Sequence, residues 1–278
     1  PDLQLYYPAG LGSGPHAGTV QDWSCNDCMG NAYNITESSS DYPGAWTPNI
    51  AVTGVTEKIR IWLQNNTGIT GSPISEWANQ ATGDTAVDAE QGSATLRPAA
   101  SGGGADFDGV NDYFRLLDGS GGSYDFDIAA QEGLTVMCVF NRDADGNHTI
   151  LSSASDDHYL RVDSGSDTIT IKLGTTETKI GPSVLDLWTN GTKVLMTLVR
   201  EAGTTGNLRL YADGVELNQG TQAANPGDGE FNTIAYRSSG TNEFFNGKIY
   251  ELAMWNKALT TAELLAAHDY FKTIHSIP

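Results

Sequence analysis

The sequence predicts an all-β chain: a two-sheet antiparallel jelly-roll sandwich with one short C-terminal helix and an N-terminal extended arm. Three observations predict it. Roughly a dozen short runs of Val, Ile, Leu, Thr and Phe alternate with Gly, Asp, Asn and Ser clusters, the pattern of short strands joined by turns. Near the end, Thr260 and Glu263 have the spacing of a capping box, which starts a helix. Residues 1–56 contain no Lys or Arg, yet hold Tyr6, Tyr7, Trp23, Tyr33, Tyr42 and Trp46.

The chain divides accordingly into an arm, 1–56, and a jelly-roll domain, 57–278. Disordered tails lack aromatics, so the arm is expected to be extended and docked, on its own domain or on a neighbouring subunit. Docking on a neighbour predicts a homo-oligomer. Within the arm, Cys25 and Cys28 form a lone C-x-x-C. Structural zinc needs four ligands, His16 offers only a third, and a redox pair needs a βαβ setting. The pair reads as a turn with two thiols. Cys138, in an apolar run, reads as a small core residue.

From Lys58 the strands follow in order. Ile59, Ile61 and Leu63 alternate with Arg60, Trp62 and Gln64, a half-buried strand. Asp108-Gly109 and Asn111-Asp112 turn the chain between Phe107 and a strand at 113–117. Leu134–Phe140 and Lys193–Arg200 are apolar on both faces, as central strands are. Thr149–Ser152, Tyr159–Val162 and Thr168–Leu173 lie between them. Asp213-Gly214 closes a hairpin between Leu208–Tyr211 and Val215–Leu217. Thr233–Tyr236 and Glu243–Phe245 read as further strands, Asn246-Gly247 as a turn, and Ile249–Trp255 as a strand covered on both sides. The helix is expected to run to about Lys272 with Leu264, Leu265, His268 and Phe271 inward.

Charge narrows the function classes. A formal net charge of −19 repels phosphates and anionic membranes, so nucleic acid and membrane insertion are set aside. No run reaches the ~18 apolar residues of a membrane span, and no apolar leader follows Pro1. A protein made without an export signal is the expectation.

Two stretches carry a family resemblance. F-x-G-x-I-x-E-x-A-x-W-N-x-A-L-T-x-x-E at 245–263 resembles the last strand and closing helix of the concanavalin A-like lectin/glucanase superfamily, in its laminin-G/pentraxin-like branch. F-D-G-x-N-D-Y at 107–113 is similar to laminin-G-like modules of tailed-bacteriophage structural proteins. The resemblance implies a non-enzymatic virion surface protein, a head decoration, fibre or tail-fibre component. Its expected partners are other virion proteins, further copies of itself and cell-surface glycans. The alternative is an extracellular carbohydrate-binding module.

Three kinds of site come into question. Glucanases of the superfamily place catalytic carboxylates on one strand as E-x-D-x-x-E. That motif is missing, and Glu251 has no acidic residue at 249 or 253, so no catalytic residue is assigned. Asp143, Asp145 and Asn147 open like a calcium loop, but the position of its closing Glu is Ala154. Relatives that bind calcium at the sheet rim add Asp156 and Asp157 as candidates. A solvated acidic loop is the preferred reading, and no metal or cofactor is assigned. Trp23, Trp46 and Trp62 are candidate sugar platforms, with packing the commoner use of Trp.

Overall fold

A computed structural model describes residues 59–81, 87–154, 158–163, 168–181, 189–221, 228–238 and 243–278. The arm 1–56, with Cys25 and Cys28, lies outside these residues, as do Asp156 and Asp157. All described residues belong to the unit Asn49–Pro278.

In chain order, β1 is Ile59–Leu63, β2 Ile69–Gly71, β3 Ile74–Trp77, β4 Val87–Glu90, β5 Ala99–Ser101, β6 Gly104–Asp108 and β7 Phe114–Asp118. Then come β8 Phe126–Ile128, β9 Leu134–Arg142, β10 His148–Ser152, β11 Tyr159–Val162, β12 Ile169–Leu173, β13 Thr176–Ile180 and β14 Val194–Arg200. The rest are β15 Asn207–Ala212, β16 Val215–Thr221, β17 Gly229–Phe231, β18 Thr233–Ile234, β19 Tyr236–Arg237, β20 Glu243–Phe244, β21 Asn246–Trp255 and the helix α1, Thr261–His275.

Two antiparallel sheets form the sandwich. One has eight strands in the order β16-β15-β14-β9-β21-β6-β5, with β1 also on β21. The other has nine, β13-β12-β11-β10-β18-β7-β4-β3-β2. Two-stranded ribbons, β8–β17 and β19–β20, complete the described strands. The two-faced runs sit in the middle of the eight-stranded sheet, and the packing gives the reason. Val136, Cys138, Phe140, Met196, Leu198, Leu252 and Met254 point into the core between the sheets. Their neighbours Met137, Val139, Leu195, Val199, Ala253 and Trp255 pack under Leu264, Ala267, Tyr270 and Phe271 of α1. Each Val, Leu, Met or Phe among them contributes about 1.5–3 kcal/mol when fully buried.

The capping box forms as expected. Thr260 N–H donates to Glu263 Oε2 at 2.8 Å and Glu263 N–H donates to Thr260 Oγ1 at 3.4 Å. Ser276, at φ 54°, ends the helix in the left-handed region. Leu264, His268 and Phe271 are buried, but Leu265 is 59% exposed and faces away from the sheet. Asp213 and Gly214, at φ 50° and 82°, make the expected hairpin turn.

Two expectations are corrected. Asn246 and Gly247 are not a turn but the start of β21, paired with Asp108 and Phe107 of β6. Glycine is required there by close approach. A Cβ on Gly247, which sits at φ 136°, would lie 2.2 Å from the Asn141 carbonyl oxygen and 2.9 Å from Arg142 Cα. The run Thr233–Tyr236 is not one strand. Ala235, at φ 68°, breaks it, so β18 stays in the nine-stranded sheet while β19 leaves to pair with β20.

His268 packs between α1 and the eight-stranded sheet. Its Nε2 lies 3.1 Å from Thr197 Oγ1, and its ring is 5.4 Å from that of Tyr211. Burial pulls its pKa down to about 4, against a smaller upward pull from Asp269. The unfolded chain therefore binds the extra proton between pH 6.5 and 4, and the folded one does not. Stability from the neutral ring is complete above about pH 6.5 and is lost as pH falls towards 4. Denaturation midpoints of the wild type and of His268→Gln are expected to show a steeper acid slope in the wild type over that window. Parallel slopes would show that His268 takes no part in acid sensitivity.

Candidate functional site

The outer face of the eight-stranded sheet lies beneath α1. The outer face of the nine-stranded sheet carries the polar partners of strands whose alternate residues fill the core. On β11, Leu160 and Val162 point inward, leaving Tyr159 and Arg161 outward. Register extends this into a row across the sheet. Glu76 faces Glu90, then come Arg115, Thr233, Ser152, Tyr159, Lys172 and Glu177, each opposite the next.

The ribbon β19–β20 lies over the middle of this row. Ser152 Oγ donates to the Tyr236 carbonyl at 2.5 Å. The Arg237 guanidinium sits 3.7 Å above the centre of the Tyr159 ring, and Arg161 is 5.2 Å from it. Glu243 accepts from Arg161 at 2.9 Å, from Arg237 at 3.2 Å and from Asn147 Nδ2 at 3.2 Å. Asp163 accepts from Arg161 Nε at 2.8 Å, lies 3.0 Å from Lys179 Nζ, and takes the hydroxyl of Thr170 at 2.6 Å. Tyr159 donates its phenol to Glu177.

The protonation states are fixed by these neighbours. Burial, then Glu177, pushes the Tyr159 phenol up to about 12, so it remains a donor at neutral pH. Burial works against the charge of Asp163, but Thr170, Lys179 and Arg161 outweigh it and hold the carboxyl below its ordinary value. For Arg161 burial is likewise outweighed, by Asp163 and Glu243, and the guanidinium stays charged.

The other face of the ribbon carries a half-buried aromatic pair, because Tyr236 and Phe244 stand one residue from Arg237 and Glu243 in the same ladder. Tyr236 and Phe244 stack with centroids 4.5 Å apart and planes at 19°, and Tyr113 adjoins Tyr236 at 5.3 Å. Flat, half-buried rings can hold a ligand with an apolar face. Sequence reading missed this site. Alternation placed Tyr159 and Arg161 on one face, but nothing linear links them to 236–244.

The residues singled out from sequence lie elsewhere. Glu251 is fully buried and accepts from Trp62 Nε1 at 2.7 Å and Tyr270 Oη at 3.3 Å, with His275 Nε2 at 2.8 Å. Trp62 also meets Tyr270 edge to face at 5.8 Å, so this Trp is packing rather than a platform. Trp23 and Trp46 lie outside the described residues. Asp143 takes an amide hydrogen bond from Asn141 at 3.0 Å, and Asp145 one from Asn190 at 3.0 Å. Each of these two carboxylates thus has a side-chain amide donor, while Asp156 and Asp157 lie outside the described residues. Among the described residues no three His, Cys, Asp or Glu side chains converge as a metal set.

One carboxylate pair is formed only by strand pairing. Glu76 and Glu90 stand opposite each other on neighbouring strands. Burial, then Glu76 and Asp88, raises the pKa of Glu90.

A family model described as the concanavalin A-like lectin/glucanases superfamily matches residues 108–265. No curated protein matches the chain by sequence. Among solved structures, the chain is similar to Trypanosoma rangeli sialidase in complex with sialic acid, at 16% identity and a TM-score of 0.51, covering 78% of this chain and 33% of that one. It is similar to domain 4 of AbnA, a GH43 extracellular arabinanase from Geobacillus stearothermophilus, in complex with arabinotriose. That match has 14% identity and a TM-score of 0.51, covering 77% of this chain and 98% of that one. It is also similar to botulinum neurotoxin type C, whose cell entry depends on interaction with two ganglioside molecules, at 14% identity and a TM-score of 0.50, covering 78% and 52%. The chain thus spans a third of the sialidase and about half of the toxin chain, and the likeness is one of fold.

Proposed function

Because this chain belongs to the concanavalin A-like lectin/glucanases superfamily, whose model matches more than half of it, we propose that it is a non-enzymatic lectin-like surface protein. It holds glycans weakly on the outer face of its nine-stranded sheet. The observation that carries this reading is the half-buried Tyr236–Phe244 stack, with Tyr113 beside Tyr236, on the ribbon over the nine-stranded sheet. The wider setting we propose is the surface of a tailed-bacteriophage particle, as a head decoration, fibre or tail-fibre component docked through residues 1–56. The likeness of the 107–113 motif to modules of such particles supports it.

The full chain on a glycan array tests the adhesion reading. Binding is expected, and Tyr236→Ala or Phe244→Ala should weaken it roughly three- to tenfold. A blank array for the folded chain overturns it. Antibodies against the full chain should label intact particles; labelling only of soluble lysate would remove the virion setting.

A second reading has its own observation, the facing pair Glu76 and Glu90. Retaining glycoside hydrolysis needs two carboxyls about 5 Å apart, one with a raised pKa. Turnover of β-glucans by the full chain, abolished in Glu90→Gln, would select hydrolysis over adhesion.

A further inference from the structure

We propose that Asp112 is a positioning residue for the aromatic shelf of Tyr113, Tyr236 and Phe244: proton uptake by its buried carboxyl closes the turn that sets Tyr113 against Tyr236, so glycans are held more tightly on the acid side of neutrality. The ligand part rests on the adhesion reading; the turn can be followed without a ligand. The turn 108–112 closes on two aspartates. Asp108 Oδ1 accepts from the N–H groups of Val110 at 2.8 Å and Asn111 at 3.1 Å. Asp112 Oδ2 accepts from the N–H of Asp108 at 3.2 Å, which ties the end of the turn to its start. The next residue is Tyr113, whose N–H donates to the Leu96 carbonyl at 3.2 Å and whose ring lies 5.3 Å from that of Tyr236. Where Asp112 sits therefore sets where the Tyr113 ring begins.

The surroundings of Asp112 favour its neutral form. The residue is 7% exposed, and an ionised carboxylate that is buried needs several donors or a cation. Among the described residues Asp112 has the one N–H and no Lys or Arg. The charged groups that face it are Asp106 and Asp108 of β6. Lys248 of β21 is turned to Asp106, at 3.6 Å. Asn246 of β21 packs uncharged on Gly109, with its N–H on His148 Nδ1 at 3.1 Å, and burial lowers the His148 pKa. Burial raises the Asp112 carboxyl to about 6, with Asp108 and Asp106 adding to it and the Asp108 N–H opposing. In an open turn, with Asp112 in water, the ordinary value of 3.8 applies. Between the two values the closed turn holds a proton that the open one has released. Closure is thus favoured below that window and loses its advantage as pH rises through about 6. From pH 5 to pH 8 the closed-to-open ratio should fall about tenfold.

The test has a ligand-free arm and a glycan arm, both on the full chain. Carbon NMR of the Asp112 carboxyl is expected to give a midpoint near 6; a midpoint below about 4.5 would overturn the proposal. Protection factors of the Val110, Asn111 and Tyr113 amides against hydrogen exchange should fall about tenfold from pH 5 to pH 8 in the wild type. They should stay level in Asp112→Asn, which keeps an acceptor and cannot ionise; equal behaviour of the two chains would overturn the proposal. On an array of neutral arabino-, cello- and lacto-oligosaccharides, signals should be about three- to tenfold stronger at pH 5 than at pH 8. Asp112→Asn should bind at pH 8 as the wild type does at pH 5. His268 titrates in both chains and cancels in the comparison. A turn that titrates as expected beside glycan binding that is equal at both pH values would overturn the positioning role and leave the adhesion reading standing. Binding of no glycan at either pH overturns both. If Asp112→Asn does not fold, the carboxyl midpoint and the wild-type protection factors still decide.

Discussion

Glu251→Ala is expected to lower stability by about 3–5 kcal/mol, the usual cost of removing one partner from a buried charged cluster. The carboxylate has no exposed surface and ties together three elements: Trp62 on β1, its own strand β21, and Tyr270 and His275 on α1. Removing it strands the Trp62 N–H and the His275 ring without their acceptor in an apolar setting. Burial, then the Glu251 charge, raises the Tyr270 phenol, so the same cluster keeps that hydroxyl protonated. Urea denaturation followed by tryptophan fluorescence measures the loss directly. Glu251→Gln, which retains the shape and one acceptor, should lose less. A loss below about 1 kcal/mol for the Ala variant would show that the cluster is not what fastens the helix.

Phe245→Ala is expected to cost about 3–5 kcal/mol, the range for emptying a fully enclosed aromatic position. Phe245 packs edge to face with Phe140 at 5.9 Å, Phe107 at 6.1 Å and His148 at 5.6 Å. Its own N–H bonds the Ala235 carbonyl at 2.9 Å. It therefore joins the inter-sheet core to the point where β19 leaves the sheet. The variant should lose stability and also loosen the shelf formed by its neighbour Phe244. Phe245→Leu, which fills most of the volume, should recover more than half of the loss in thermal and chemical denaturation. A Leu variant no better than Ala would show that the cost comes from the ring contacts rather than from the cavity.

The two predictions concern parts of the molecule that were unequally legible. Glu251 could be read as structural, because no acidic residue stands at 249 or 253. Its partners could not be read, since Trp62, Tyr270 and His275 come from strand and helix positions far apart in sequence. Asn246-Gly247 was legible as a place that needs glycine, but the reason differed. A tight turn and a close backbone approach ask for the same residue, and local sequence does not separate them. Ala235 is harder still. A left-handed alanine has no local signature, so the run 233–236 reads as one strand while the chain breaks within it.

What the sequence determined by itself was the architecture. Two-faced apolar runs at 134–140 and 193–200 have no stable home except between two covering layers. The Thr260–Glu263 box starts a helix wherever the chain allows one, and Asp213-Gly214 turns a hairpin. These are local or periodic properties, and they survive in the linear text. Tertiary structure alone decided the candidate site. Register placed Tyr159 beside Ser152 and Lys172, the break at Ala235 carried Tyr236 and Arg237 over them, and Glu243 was thereby brought between two guanidinium groups. Pairing across strands depends on how distant segments align. A one-residue shift of register would send every one of these side chains to the opposite face.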